Sequence, residues 1–271
     1  MCKIKLSRMY LRLFAIMKTY ETLFTGNSEK DFFDEAITMT VIDCLQAITI
    51  LNLFYTHASI QRYKAENDSY IVDNVFLKDI FDNDILKKCL EKFDIKLQDN
   101  SNVTELYKSF TNNIDPQKIK KMDHEKIVGY FIDIISSDEE LLKTLSIEKS
   151  LFVFNKKILL QIIVNTKKDI FQRLIDWDFY EEKDKIFFNT LIKGAIETKG
   201  EVDNLIAKYS INWAVDRFFL IDKVIISLAY SDVKYMGTPR IVVINEYLNL
   251  TKLFNGDKSS RFLNAILDKI L

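Results

Sequence analysis

Glycine and proline are both scarce in this chain, which has 6 glycines and 2 prolines among its 271 residues. A β-sandwich or β-barrel of this length needs many tight turns, and a parallel α/β fold usually needs several loops that contain glycine. Hydrophobic residues make up 48% of the sequence, which excludes a disordered chain. We therefore predict an all-α protein in which long helices are joined by short polar loops.

Cysteine and histidine are equally rare. Cys2, Cys44 and Cys89 are far apart and form no CxxC pair, which is typical of reduced thiols in the cytosol. His57 and His124 are the only histidines, and neither has a second histidine or cysteine three or four residues away. We predict no metal site and no cofactor.

Long uncharged apolar runs are missing as well. The basic start of the chain followed by apolar residues is similar to a signal peptide, but Arg12 interrupts the apolar run and no small-residue cleavage site follows. We find no uncharged apolar stretch long enough to cross a bilayer. The expected location is the cytoplasm.

The formal net charge is −1, so no overall positive field attracts the chain to nucleic acid. Positive charge is nevertheless concentrated at the N-terminus, where no acidic residue precedes Glu21. The cations of this cluster are Lys3, Lys5, Arg8, Arg12 and Lys18. A solvated helix face explains the cluster as simply as a phosphate-binding surface does.

A first helix is predicted over about residues 3–24. Its apolar residues recur at spacings of three and four and share one face, whereas Arg8 and Arg12 are predicted to share a different, exposed face. The apolar set is Leu6, Met9, Tyr10, Leu13, Met17 and Tyr20. The stretch 25–28 ends this helix, and Ser28 is a plausible N-cap for the next.

The middle of the chain predicts one long helix, or two collinear helices, over 29–66 and shorter helical pieces over about 68–176. The stretch 150–154 has a strand-like composition, but no partner with the same pattern exists, so we predict a helix or a buried connection. The last 90 residues predict helices separated by a turn at 199–201, a loop at 237–239 and a break at 255–257. Thr238 is expected to cap the helix that follows it.

The C-terminal region, roughly 185–271, contains an ordered set of residues at set spacings. The set is Phe188, Leu191, Gly194, Asp203, Trp213, Arg217, Asp222, Pro239, Ile244, Asn245, Glu246, Phe254, Phe262, Asn264, Asp268 and Lys269. In this set the region resembles the NusB family, whose members share this order and spacing. Two positions depart from the pattern, because Ala265 replaces a glycine and Ser231 replaces a tyrosine.

The first helix resembles the family's opening helix, in which Arg8 and Arg12 take the positions of its arginines. About 150 residues separate this helix from the C-terminal match, so the chain resembles a longer variant with a helical insertion. The expected organisation is a NusB-like helical bundle. Its parts are the first helix (1–24), a helical insertion (25–180) and the remainder of the bundle (181–271).

The resemblance implies a non-enzymatic transcription antitermination factor. Such a factor binds boxA-type single-stranded RNA together with the ribosomal protein NusE and supports transcription of rRNA operons. Other antitermination factors and RNA polymerase would be indirect partners. Single-stranded RNA binding needs cations for phosphates and aromatic faces for bases. The expected RNA-binding residues are Lys3, Lys5, Arg8, Arg12, Phe254, Lys258, Arg261 and Phe262, although a core position would suit both phenylalanines equally well.

Two alternatives stay open. A NusB-like module also forms the amino-terminal domain of certain rRNA cytosine methyltransferases, but we expect no enzyme here, because the chain ends at Leu271 without a glycine-rich loop for the methyl donor. The other alternative is a protein-interaction scaffold whose inserted segment binds something other than RNA.

Overall fold

The computed structural model describes residues 3–25, 32–61, 80–81, 84–95, 103–119, 121–144, 149–164, 170–210 and 219–271. The expected N-cap Ser28, the family residues Trp213 and Arg217, and the side chain of Lys258 lie outside the described set. The all-α prediction is confirmed, because the described residues contain no strand. Their helices are α1 Arg8–Thr25, α2 Phe32–Gln61, α3 Asp84–Lys92, α4 Val103–Asn112, α5 Pro116–Ile119, α6 His124–Ser137, α7 Glu139–Thr144, α8 Lys149–Val164, α9 Ile170–Asp176, α10 Glu182–Glu197, α11 Lys199–Tyr209, α12 Leu220–Met236 and α13 Arg240–Ile270.

The chain divides into two compact units. The terminal unit comprises 6–37 and 181–271, and the middle unit comprises 1–5 and 38–180. Whether residues 25–180 are an insertion relative to other NusB-like chains stays a prediction.

Helix α12 is the centre of the terminal unit. It packs against α1, α10 and α13, and its buried residues lie on every side of the helix. A helix that is buried all round needs apolar residues all round, and the run 224–229 provides them. Gly237 ends α12 in the left-handed conformation, with φ of 64°.

The chain reverses direction within α13, between Arg240 and Ile270. Nη2 of Arg240 lies 2.6 Å from Oδ1 of Asp268, although these residues are 28 positions apart. A straight α-helix would separate them by roughly 42 Å. Oγ of Ser260 likewise donates to the carbonyl of Leu248 at 3.4 Å. Both pairs are symmetric about Phe254 in sequence, so the reversal lies next to the predicted break at 255–257.

The middle unit has its own apolar core. Helix α8 packs on α6, and α9 packs on α3. Phe110 lies at the centre of an aromatic group, with ring centroids 4.6 Å from Phe54 and 5.5 Å from Phe131. The stretch 150–154 is helical, which is one of the two states predicted from the sequence, and it forms part of α8.

Helix α1 begins later than predicted. Residues 3–7 are not helical, and α1 starts at Arg8, where Oγ of Ser7 accepts the N–H of Tyr10 at 3.2 Å. The sequence Lys3-Ile4-Lys5-Leu6 alternates between polar and apolar residues, and Ile4 and Leu6 are the buried ones. A period of two is typical of extended backbone, and in the sequence the longer helical pattern that follows obscures it.

Two local predictions near the later helices are wrong. The predicted turn at 199–201 is the first turn of α11, and Thr198 alone separates α10 from α11. Thr238 does not cap α13, because the helix begins at Arg240 and Pro239 occupies the N-cap position. The hydroxyl of Thr238 donates to Oδ1 of Asp232 at 2.6 Å.

Helix α2 corrects the expectation about apolar runs. Among the described residues, the stretch Phe32–His57 is long and apolar enough to cross a membrane, as judged by length and composition alone. However, 61% of its most apolar window is buried inside the protein. Core helices pass the same test, and side chains such as Leu45, Ile48 and Phe54 are fully or almost fully buried here.

Helices α10 and α12 approach closely at Gly194. A Cβ atom at this position would lie 2.5 Å from Cδ2 of Tyr235 and would collide with Oγ of Ser231. That hydroxyl is itself held in place, because it donates to the carbonyl of Leu191 at 2.9 Å. We therefore expect Gly194→Ala to lower the free energy of unfolding by about 1–3 kcal/mol, as measured by urea denaturation.

Gly200→Ala is the matched control, because no atom lies within 4 Å of its added Cβ. Alanine is a better helix former than glycine, so the control should stabilise the protein by up to about 1 kcal/mol. Equal stabilities of the two variants would show that the close approach at Gly194 does not limit packing.

Candidate functional site

The N-terminal cations are mostly paired with acidic residues. Nζ of Lys3 lies 2.8 Å from Oδ1 of Asp178, within the middle unit. Lys18 is buried and paired with Glu21 and Glu35 in the terminal unit. Lys5 is exposed, and among the cations of this cluster it alone has no ion pair within the part of the chain that the structure describes. The local excess of positive charge seen in the sequence is therefore largely neutralised in the fold.

Arg8 is partly exposed and belongs to the terminal unit. Its guanidinium carbon lies 4.1 Å from the centroid of the Phe187 ring, which is a cation–π contact. Its Nη1 lies 3.6 Å from Oδ1 of Asp184. Burial raises the pKa of Asp184, and the charge of Arg8 offsets part of that rise. Arg8 can reach solvent but already has an aromatic and an acidic partner.

Arg12 is buried, and the predicted exposed position is wrong. Only 4% of the residue is exposed. Its Nε donates to Oδ2 of Asp232 at 2.7 Å, and its Nη1 lies 3.8 Å from Oε2 of Glu246. The physical reason is that α1 packs against both α10 and α12, so the face assigned to solvent is also covered.

The buried charges are mutually stabilised. Burial lowers the pKa of Arg12, but its hydrogen bond to Asp232 and the nearby carboxylates outweigh burial and raise the pKa overall. Asp232 has no exposed surface, and its second oxygen accepts the hydroxyl of Thr238. Tyr247 lies in the same interior, and burial raises the pKa of its hydroxyl well above its usual range. This group joins α1, α12 and α13.

An apolar groove with a volume of about 540 Å³ opens on the terminal unit. Three of its residues are aromatic, and Phe219 is 69% exposed and Phe254 37% exposed. Phe254 lies at the reversal of α13, and its side chain lines the groove. The lining residues are Met17, Tyr20, Phe219, Leu220, Ile221 and Phe254.

Phe254 is the predicted site residue that lines this groove. Phe262 is half-buried and Arg261 is exposed, and both follow the reversal of α13. Neither lines the groove. The predicted set is therefore divided, because Lys3 and Lys5 belong to the middle unit, whereas Arg8, Phe254, Arg261 and Phe262 belong to the terminal unit.

The sequence prediction omitted two aromatic residues of the groove. Tyr20 falls on the apolar face predicted for the first helix, but it is 38% exposed. Phe219 immediately precedes α12 at its N-cap position. The sequence did contain a signal for Phe219. It is a large aromatic residue just before a helix whose own apolar residues already fill the core, so an exposed position could have been expected.

The buried ion pair predicts how arginine variants behave. Arg12→Ala leaves the carboxylate of Asp232 buried without its charge partner, so we expect the free energy of unfolding to fall by about 3–5 kcal/mol. Urea denaturation is the measurement. Arg240→Ala is the control, because its partner Asp268 is exposed and such pairs contribute at most about 1 kcal/mol. Equal losses in the two variants would contradict the role assigned to Arg12.

The comparisons with known proteins all indicate the same family. The NusB family model matches residues 154–271. The transcription antitermination protein NusB of Syntrophomonas wolfei is 37% identical over 112 residues, which cover 41% of this chain and 83% of that protein. The NusB protein of Bacillus subtilis is 36% identical over 91 residues, which cover 33% of this chain and 70% of that protein.

A third relative, the NusB protein of Ligilactobacillus salivarius, is 34% identical over 105 residues, or 38% of this chain and 79% of that protein. No solved structure matches the chain. The family match includes α10, α11, α12 and α13, and with them the buried Asp232, the groove residue Phe219 just before α12 and the reversal at Phe254. The chain belongs to the NusB family.

Proposed function

We propose that the chain binds boxA-type single-stranded RNA together with the ribosomal protein NusE and so supports transcription of rRNA operons. Family membership and the name of its relatives support a role as a transcription antitermination factor. In this proposal the protein acts in the cytoplasm by binding alone, without a catalytic step. Other antitermination factors and RNA polymerase are indirect partners.

The observation that carries the RNA-binding part is the exposed aromatic groove. Single-stranded RNA is bound chiefly by stacking its unpaired bases on aromatic side chains. Tyr20, Phe219 and Phe254 line one groove of about 540 Å³, within the range of about 300–1,000 Å³ typical of ligand sites. These three rings are partly exposed although the core of the protein is filled, so an RNA base can stack on them.

The cations proposed for the phosphates are those that the fold leaves accessible. Lys5 and Arg261 are exposed, and Arg8 is partly exposed. Arg12 acts indirectly, because its pair with Asp232 fixes α1 and with it the groove residues Met17 and Tyr20. Lys258 and Phe262 remain in the proposed set on the basis of the family resemblance.

The charge of the chain supports the proposal of a partner protein. With a net charge of −1 and most N-terminal cations paired, the protein offers few phosphate contacts of its own. Affinity for RNA depends steeply on the number of neutralised phosphates. A second RNA-binding protein would supply the missing contacts, and the family resemblance supports NusE in this role.

A protein-interaction scaffold is the alternative function, and the ion pairs of the N-terminal cations favour it. The two functions differ in whether the isolated chain discriminates between RNA sequences. Titration of labelled boxA-type RNA and a scrambled strand at one fixed salt concentration, with and without NusE, separates them. We expect tighter binding of boxA-type RNA, with a larger difference when NusE is present.

The groove makes a specific prediction. Phe254→Ala should weaken boxA-type RNA binding by about 1–3 kcal/mol, or roughly 5- to 150-fold, because one base loses its stacking partner. Ile241→Ala is the control, since Ile241 is 73% exposed and does not line the groove. If both variants bind as tightly as the unmodified chain, the groove is not the RNA site.

A further inference from the structure

The segment before α1 is extended and is held within the middle unit. Ile4 is fully buried, whereas the side chain of Lys5 is exposed. Since neighbouring side chains of an extended segment point to opposite sides, burial of Ile4 turns Lys3 and Lys5 outward. Outward orientation alone does not order a side chain. The order of Lys5 depends on the hydrogen bonds that its main chain makes.

Three hydrogen bonds fix the main chain at Ile4 and Lys5. The N–H of Ile4 donates to the carbonyl of Phe179 at 2.6 Å. The N–H of Lys5 donates to Oε1 of Gln161 at 2.7 Å, and Nε2 of Gln161 donates back to the carbonyl of Lys5 at 3.2 Å. One side-chain amide therefore binds both main-chain groups of Lys5, as a neighbouring strand would.

The segment 177–179, which accepts the hydrogen bond from Ile4, is itself held in place. It follows α9, whose end is closed by a hydrogen bond from the N–H of Asp178 to the carbonyl of Arg173 at 2.9 Å. Trp177 adopts φ of 59°, a left-handed conformation that glycine usually takes at a helix end. Its ring contacts Phe179 with centroids 5.1 Å apart. Nζ of Lys92 donates to the last carbonyls of α9, including that of Leu174 at 3.3 Å.

We propose that Gln161 is a positioning residue for RNA binding. It orders the N-terminal segment before RNA binds, so that the side chain of Lys5 is presented to an RNA phosphate from an ordered main chain. The proposal rests on the proposed function. The ammonium of Lys3 is held by Asp178, which leaves Lys5 as the cation that the anchor presents. Ordering a segment during folding removes that entropy cost from the binding step. The segment 25–180 thereby contributes to RNA binding through Gln161.

The anchor can be tested without RNA. Trypsin cleaves after lysine, and an anchored extended segment is a poor substrate because cleavage requires local release. We expect Gln161→Ala to accelerate cleavage after Lys3 and after Lys5, which removes residues 1–3 and 1–5, as measured by intact mass during limited proteolysis. Gln172→Ala is the matched control, since Gln172 bonds only to Asp176 on its own helix among the contacts that the structure describes. Unchanged cleavage in Gln161→Ala would overturn the proposal.

The RNA test uses a double-variant comparison on the full chain. Loss of one phosphate contact on a single strand should weaken binding of boxA-type RNA about fivefold at 0.1 M salt. We expect that loss for Lys5→Ala and for Gln161→Ala, and no further loss in the variant carrying both changes. A general structural defect would add to the effect of Lys5→Ala, so additive losses would overturn the positioning role.

The remaining outcomes separate this proposal from the proposed function. If the unmodified chain prefers boxA-type RNA and Gln161→Ala binds it equally well, the positioning role fails and the function stands. If the unmodified chain binds boxA-type and scrambled RNA alike, with and without NusE, the function fails and the positioning role fails with it.

Discussion

The ion pair between Arg12 and Asp232 holds the terminal unit together. It is buried, and it joins α1 to α12, with Glu246 of α13 close to the same guanidinium. Taking two charges out of water is costly unless each finds its partner with good geometry. The arrangement therefore tolerates few alternatives, and it sets the position of the two groove residues that α1 supplies. Stability of the unit and shape of the groove depend on the same contact.

Most of the positive charge at the N-terminus is neutralised by carboxylates. Four of its five cations pair with carboxylates from other parts of their own units or helices. Positive charge close together in sequence is thus used mainly to fix α1 and the segment before it. What remains for RNA is a short set of accessible cations and a group of exposed rings, so specificity would come from stacking more than from long-range attraction.

The sequence predicted the features that depend on local patterns and family spacing. These include the all-helical fold, the absence of a strand at 150–154 and a break at 255–257, beside which the chain reverses. It failed where a distant residue decides the outcome. Burial of Arg12 depends on Asp232, 220 positions away, and the extended form of residues 3–6 depends on Gln161 and Phe179. Neither partner could be identified from local periodicity, which assigned both segments to one amphipathic helix.

The same distance has a consequence for biosynthesis. Asp232 follows Arg12 by 220 residues, which at about 5–20 residues per second means a delay of roughly 10–45 s between their syntheses. Helical units fold within about microseconds to milliseconds, so the middle unit has time to fold on the ribosome and to take up residues 3–5 through Gln161. Helix α1, with its apolar sides uncovered, must wait for the last helices. A nascent chain that stalls before Asp232 would expose this helix to chaperones or to aggregation.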